Sequence, residues 1–200
     1  MIGVVDQGDI GALVLLDLSA AFDTVDHSIL IDVLRRRFGI NDSALSWVTE
    51  FLSNQRQVVY AGKTESDHMA LQFSVPQGSV LGPRLFVQYA EDVDDIFQRH
   101  GVHHHLFADD MQGHFSGRLD DVPAIVSRLE SCIIDIYAWC GAKRLHFNAD
   151  KTELLWFGPA SQLRRLPSQN NSINVNQCVV KPVTVVPDLG VWFDAELSMR

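Results

Sequence analysis

Long apolar runs are what this sequence most clearly lacks. The best run, Ala12–Leu16, is cut short by Asp17, whereas a membrane-spanning helix needs roughly 18 to 20 apolar residues in succession. The first residues show neither the basic and apolar pattern of a secretory signal nor the arginine-rich bias of a transit peptide. We therefore predict a protein without membrane spans that is not secreted and resides inside the cell, in the cytoplasm, the nucleus or both.

Cysteine is also scarce. The chain has three, Cys132, Cys140 and Cys178, and they form no Cys-x-x-Cys pair. An odd, widely spaced set of this kind indicates neither a disulfide framework nor a zinc knuckle. We predict that all three are small, buried, apolar side chains.

Positive charge is in short supply, with 16 Lys and Arg against 25 Asp and Glu and a net charge of -9. This is the wrong sign for a domain that grips nucleic acid through its phosphates. An acidic domain can still act on nucleic acid if its carboxylates bind divalent metal and basic segments lie elsewhere. The 200 residues, 46% of them hydrophobic, are enough to build a core.

Helical and strand patterns alternate along the chain, which predicts an α+β fold with helices covering one face of an antiparallel sheet. The other face would be free for a ligand. Residues 161–174 read as a polar, exposed loop, and short strands follow over 175–193. The spacing predicts helices over 27–38, 41–52, 83–98 and 122–140, and strands over 11–17, 57–61, 68–73, 103–108, 111–115 and 153–157.

Three carboxylates fall where strands end. Asp17 closes the first strand, and Asp109 and Asp110 occupy the predicted tip of a hairpin about ninety residues later. A phosphoryl-transfer site needs such groups, because two hard divalent cations about 3.5 to 4 Å apart require oxygen ligands. Each acid alone has an ordinary interpretation as a helix cap or a turn residue.

Four segments carry a more specific pattern. Leu15–His27 reads LLDLSAAFDTVDH, Phe73–Pro83 reads FSVPQGSVLGP, Phe107–Asp110 reads FADD and Leu145–Glu153 reads LHFNADKTE. In this order they resemble motifs A, B, C and D of the reverse transcriptases of non-LTR (LINE-type) retrotransposons. A fifth segment, 189–194, is similar to the strand that precedes the thumb in that family.

The resemblance implies the palm of a right-hand polymerase over residues 1–200, with a core over 1–160 and a loop and short strands over 161–200 that lead toward a thumb. The catalytic carboxylates would lie on the open face of the sheet. The implied activity is RNA-directed DNA polymerisation, in which a dNTP is added to a primer 3′-hydroxyl on an RNA template. Two Mg²⁺ ions, with Mn²⁺ as a substitute, would be bound by Asp17, Asp109 and Asp110.

Further roles follow from the same resemblance. The Leu18 carbonyl is an additional candidate ligand, and Phe22 matches the position where an aromatic ring crowds a ribose 2′-hydroxyl. Gln77 and Gly78 match the loop that contacts the incoming nucleotide and the template base. Lys151 matches the motif D lysine, whose ammonium neutralises or protonates the leaving pyrophosphate.

Two other functions stay open from the sequence. One is a catalytically inactive remnant that acts at most as a binding module, which the acidity and the bulky Met111 after the paired aspartates favour. The other is a maturase-like partner that binds structured RNA. The chain starts sixteen residues before Asp17 and ends at Arg200, so we expect the fingers and thumb segments to lie outside it.

Overall fold

The computed structural model describes residue 3 and residues 8–53, 55–167, 171–176 and 178–197. The chain divides into two compact units. The first unit contains Met1–Ser19, Val93–Cys140 and Phe147–Arg200, and the second contains Ala20–Asp92 and Gly141–His146. The domain limits expected from the sequence stay a prediction.

The described elements are mixed helices and strands, which confirms the α+β class. The helices are α1 (His27–Arg36), α2 (Asp42–Leu52), α3 (Gly82–Ala90), α4 (Val93–His100), α5 (Val122–Ala142) and α6 (Ala160–Leu163). The strands are β1 (Ile10–Ser19), β2 (Arg56–Gln57), β3 (Tyr60–Ala61), β4 (Thr64–Glu65), β5 (Met69–Ala70), β6 (His103–Phe107), β7 (Asp110–Gly117), β8 (His146–Phe157), β9 (Ile173–Val175), β10 (Cys178–Val180), β11 (Pro182–Val183), β12 (Val185–Asp188) and β13 (Val191–Asp194).

A five-stranded sheet in the order β11-β8-β1-β7-β6 forms the centre of the first unit. β7 pairs antiparallel with both β1 and β6, but β11 pairs with β8 in parallel. The prediction of an antiparallel sheet was therefore wrong at this edge. Residues 158–181 separate the two parallel strands, and a connection of a dozen or more residues is long enough to return the chain in the same direction.

Helices cover one face of this sheet, as predicted. A Cβ placed on Gly113 of β7 would lie 3.1 Å from Phe97 of α4, and one on Gly117 would lie 3.7 Å from Ile125 of α5. Val14 of β1 pairs with Gly113, and its side chain would lie 3.3 Å from the same added Cβ. Since successive strand residues point to opposite faces, Val14 and its alternate neighbours face the helices, and Asp17 faces away from them.

The face that carries Asp17 is partly covered. Leu13, Leu155, Phe157 and Val186 form a buried cluster there, so β12 packs directly on the sheet. The close packing needs Gly11, because a Cβ at that position would lie 2.3 Å from the Phe157 ring. The predicted open face is thus open only beyond the β12–β13 hairpin.

One predicted helix over 83–98 is two helices, α3 and α4, separated by Glu91 and Asp92. Asp92 forms an ion pair with Lys143 at 3.0 Å, and Glu91 forms one with Arg37. α4 then begins with two acidic residues in its first turn, which suits the positive end of a helix dipole. The apolar periodicity alone did not reveal this break.

The core of the second unit is built on α1 and α3, which pack together. Asp26 is the N-cap of α1: its Oδ1 accepts hydrogen bonds from the N–H groups of Ser28 and Ile29 at 2.8 and 3.1 Å. Arg144 also forms an ion pair with this buried carboxylate. Asp26 therefore has a structural role in the second unit.

Three smaller predictions differ from the structure. β8 begins at His146, seven residues before the predicted strand, and the predicted loop over 161–174 contains α6 and the buried start of β9 at Ile173. Cys132 and Cys140 are buried as expected, but Cys178 is exposed. Among the described residues, no helix is long and apolar enough to cross a membrane.

Candidate active site

Asp17 and Asp110 lie side by side on neighbouring strands of the first unit. Leu16 pairs with Met111 in the β1–β7 ladder, which places Asp17 next to Asp110 at the end of that ladder. Phe107 pairs with Asp110 in the β6–β7 hairpin, so Ala108 and Asp109 form a two-residue loop. Motif A and motif C therefore meet at one end of the sheet.

This hairpin tip has an uncommon backbone. Ala108 has a φ of +53°, a left-handed conformation that costs a residue with a Cβ roughly 1 to 2 kcal/mol. Short hairpin loops use such angles because they match the twist of the strands. The tight loop fixes where Asp109 and Asp110 stand relative to β1.

The carboxylates repel one another. The pKa of Asp110 is raised, first by partial burial and then by the negative charges of Asp109, Asp17 and Asp188. Asp110 is thus close enough to each of the other three carboxylates to interact with it electrostatically. Repulsion of this kind is relieved when a cation binds among the carboxylates.

Lys151 on β8 lies next to Asp17. Its Nζ is 3.3 Å from Asp17 Oδ2, with side-chain exposures of 63% and 32%. This is an ion-pair distance, yet the ammonium does not have the geometry of a hydrogen bond, and the water-inaccessible Oδ2 has no hydrogen-bond partner in the described structure. A buried polar atom without a hydrogen bond is unusual in a folded protein and points to a functional role or to an absent partner such as an ion.

A pocket of about 130 Å³ lies next to Asp17, Asp110 and Lys151, which form part of its lining. Four of its lining residues, Asp17, Asp110, Glu153 and Asp188, are acidic, and Lys151 is basic. Burial raises the pKa of Glu153 and of Asp188, and the nearby His105 partly opposes the shift at Asp188. The remaining lining residues are Leu15, Leu16, Met111, Gln112, Pro187 and Leu189.

The donor set fits a hard divalent cation. Within the described ranges, no three His, Cys, Asp or Glu side chains are already arranged as a metal site. Carboxylate oxygens are nevertheless the donors that Mg²⁺ takes as ligands, and Asp17 Oδ2 has no hydrogen-bond partner among the described residues. Asp17, Asp109 and Asp110 are the residues that would hold it.

Leu18 directly follows Asp17 and is buried, with 4% of its surface exposed. Its side chain therefore belongs to the core, and the proposed role concerns its backbone carbonyl. That role stays a prediction.

In the second unit, Phe22 lies in a short 3-10 helix, Ala21–Thr24. Its ring stacks on Phe86 with centroids 4.7 Å apart. Its carbonyl accepts a hydrogen bond from the N–H of Val75 at 2.9 Å. The ring is thus held by contacts on both its side chain and its backbone.

Gln77 and Gly78 are exposed in the motif B loop. The Gln77 amide donates to Asp23 Oδ1 at 3.4 Å. Gly78 has a φ of +80°, and a Cβ added to it would have no other atom within 4 Å. The positive φ accounts for glycine at this position, and the open space leaves room for a ligand. A nearby concavity of about 590 Å³ in the same unit is lined by Asp23, Gln57, Ala70, Leu71, Gln72, Phe73 and Ser74.

The structure therefore brings together some of the predicted residues. Asp17, Asp109, Asp110 and Lys151 form one group in the first unit, and Phe22, Gln77 and Gly78 belong to the second unit. The convergence of the two groups on one substrate stays a prediction.

Sequence reasoning missed Gln112, Glu153 and Asp188. Strand alternation places Gln112 on the face of Asp110, which was a usable signal. Asp188 offered none, because 76 positions separate it from its hydrogen-bond partner Gln112.

Comparisons with known proteins identify the family of this chain. Residues 6–181 match the family described as reverse transcriptase (RNA-dependent DNA polymerase). The chain belongs to this family, as the motifs predicted.

Among its relatives is a probable RNA-directed DNA polymerase from transposon BS of Drosophila melanogaster. It is 24% identical over 194 residues, which cover 92% of this chain and 20% of the relative. The chain thus spans about a fifth of the length of this transposon protein.

Two solved structures share the fold. One is apo telomerase from Candida tropicalis, truncated from its C-terminal domain, with a TM-score of 0.64, 10% identity and coverage of 98% of this chain and 36% of that one. The other is telomerase from Candida albicans in complex with the TWJ fragment of telomeric RNA, with a TM-score of 0.64, 13% identity and coverage of 98% and 32%. At such identities the similarity concerns the fold alone.

Proposed function

We propose that this chain is the palm of an RNA-directed DNA polymerase of the LINE type, which adds deoxynucleotides to a primer 3′-hydroxyl on an RNA template. The observation that carries the proposal is the position of Asp17 beside Asp110 at the end of the β1–β7 ladder, with Asp109 in the adjoining hairpin loop. Family membership gives the reaction class.

Asp17, Asp109 and Asp110 would hold two Mg²⁺ ions, and Mn²⁺ would serve as a substitute. When bound, these ions would activate the primer hydroxyl and neutralise charge on the phosphates. The chain itself would contribute by positioning the carboxylates. A ten-residue strand and a two-residue hairpin loop hold the three carboxylates at one end of a packed sheet.

The Nζ of Lys151 lies beside Asp17. In the reaction we assign Lys151 to the leaving pyrophosphate, either as a general acid that donates a proton to it or as an ammonium that keeps its proton and neutralises the negative charge. The side chain is 63% exposed, so it has room to move from Asp17 toward a phosphate. If Lys151 stayed beside Asp17, it would compete with a cation for that carboxylate.

Phe22 is assigned to sugar discrimination. Since its ring is stacked on Phe86, it cannot move aside without cost and would exclude a 2′-hydroxyl by contact. Gln77 and Gly78 are assigned to the incoming nucleotide and the template base. The partners are therefore an RNA template, a DNA primer and a dNTP.

The net charge of -9 means that basic segments outside this chain would supply most of the phosphate grip. We assign those segments to fingers and thumb regions of a parent polyprotein. The protein would work inside the cell, where template and dNTP are available.

Primer extension on an RNA template, with Mg²⁺ and the four dNTPs, tests the reaction. The samples are the chain alone, the chain joined to fingers and thumb segments of its transposon relative, and the Asp109→Asn variant of each. We expect extension that Asp109→Asn abolishes. Absence of extension in both wild-type samples would contradict the proposal.

A binding module without activity is the second candidate, because Lys151 already pairs with Asp17 and the pocket is narrow. Met111, whose bulk favours this candidate at the level of the sequence, is 3% exposed, and its register places its side chain on the helix-covered face.

A further inference from the structure

We propose that Asp188 is a fourth acidic group of the carboxylate pocket, held in place by Gln112, and that it strengthens the binding of divalent cations there. The inference rests on the proposed function, because the cations are those that Asp17, Asp109 and Asp110 would bind. It adds a residue from the β12–β13 hairpin, outside motifs A to D, to the site.

A partly buried hydrogen bond holds Asp188 in place. The Gln112 amide nitrogen donates to Asp188 Oδ1 at 2.6 Å, and Gln112 is 9% exposed. An amide buried to this degree costs roughly 1 to 3 kcal/mol if it loses its partner. The hydrogen bond therefore satisfies the Gln112 amide and also holds the Asp188 carboxylate in place.

Gln112 also sets the direction of Asp188. It follows Asp110 by two positions on β7, so both side chains lie on the same face of the sheet. Asp188 is thereby brought next to the row that contains Asp110, and both residues line the same pocket. The charge of Asp188 is among those felt by Asp110.

The strand that carries Asp188 is anchored. Val186, two positions earlier on β12, is fully buried against Leu13 and Leu155, and Asp188 itself pairs with Val191 across the hairpin. The carboxylate thus stands on a packed strand that keeps its place without a ligand. Such preorganisation favours binding, since little order has to be imposed later.

The charge of Asp188 is oriented without being neutralised, because Gln112 carries no charge. With Asp17, Asp110 and Glu153 it gives the pocket lining four carboxylates against the single ammonium of Lys151. A divalent cation is the ligand that removes this excess. Residues behind the direct ligands typically change metal affinity by about 10-fold to 100-fold when altered.

The test measures the binding of Mn²⁺ to the whole chain near neutral pH. The electron paramagnetic resonance signal of the free ion reports how much Mn²⁺ is unbound. The variants are Asp188→Asn, Asp188→Glu, Gln112→Ala and Asp17→Asn. Asp194→Asn is the matched control, because it removes one negative charge from the same hairpin outside the pocket lining. Thermal unfolding of each variant shows that it is folded.

We expect Asp188→Asn to weaken Mn²⁺ binding by about tenfold, Gln112→Ala to weaken it less, Asp188→Glu to restore most of it and Asp194→Asn to leave it unchanged. Binding unchanged in Asp188→Asn but lost in Asp17→Asn would overturn the role of Asp188 and leave the proposed function standing. Mn²⁺ binding that is no tighter in the wild type than in Asp17→Asn would remove the cation site, and both proposals with it.

Discussion

The Nζ of Lys151 lies 3.3 Å from Oδ2 of Asp17, an oxygen that has no hydrogen-bond partner in the described part of the chain. The contact joins motif A to motif D through charge alone. It also offsets part of the negative charge of the acidic pocket lining. Under the proposed function, Lys151 would be available for a second role once Asp17 binds a cation.

Replacing Lys151 distinguishes its role in the reaction from its ion pair with Asp17 in the folded structure. We expect Lys151→Met to slow nucleotide addition by about 100-fold or more, because the leaving group loses its proton donor. Unfolding free energy should change by less than about 1 kcal/mol, since the pair is substantially exposed. Single-turnover primer extension and chemical denaturation measure the two effects.

Lys181→Met is the control for Lys151, because Lys181 is also exposed but lies outside the pocket lining. Its rate should match the wild type. Equal rates for both lysine variants would remove Lys151 from the mechanism.

Asp26 provides a pH test of the second unit. Burial raises its pKa, but hydrogen bonds from Ser28 and Ile29 and the charge of Arg144 outweigh burial, so the pKa is lowered overall from 3.8. Because the folded pKa is the lower one, the stabilisation is fully present above the unfolded pKa. It is lost as the pH falls through the folded value.

We therefore expect Asp26→Asn to be less stable than the wild type by about 1 kcal/mol near neutral pH. The difference should shrink once the pH falls below about 4. Urea denaturation across this range measures it. Asp32→Asn alters an exposed carboxylate on the same helix and serves as the comparison. A constant difference for Asp26→Asn across this range would contradict the account.

Phe22 provides a test of sugar selectivity. Removing its ring by Phe22→Ala should raise ribonucleotide incorporation relative to deoxynucleotide incorporation by about tenfold or more. Competition between a dNTP and the matching rNTP at one template position gives the ratio. Phe38→Ala changes another partly exposed ring of the same unit and should leave the ratio unaltered, whereas unchanged selectivity in Phe22→Ala would refute the assignment.

Local patterns were enough to predict much of this molecule. The apolar run before Asp17, the two-residue tip at Asp109 and the periodicity of α5 are each encoded within a few neighbouring positions. Motif order then predicted that the aspartates would meet, and the β1–β7 register places Asp17 beside Asp110.

What could not be predicted depends on long-range contacts. The break at Glu91 and Asp92 coincides with ion pairs to Arg37 and Lys143, whose partners are invisible to a helical repeat. The parallel edge strand β11 depends on a long connection, and Asp188 on a hydrogen bond across 76 positions. Propensity and periodicity carry no information at such separations.

The most direct test of the central claim is the rate of a single dNTP addition to an RNA-templated primer, compared between the wild type, Asp17→Asn and Asp120→Asn. Asp120 is a matched control, because its side chain is 85% exposed and lies outside the pocket lining. We expect Asp17→Asn to lose addition by at least about a thousandfold, with Asp120→Asn at the wild-type rate. Wild-type rates in Asp17→Asn would contradict the assignment of this pocket to catalysis.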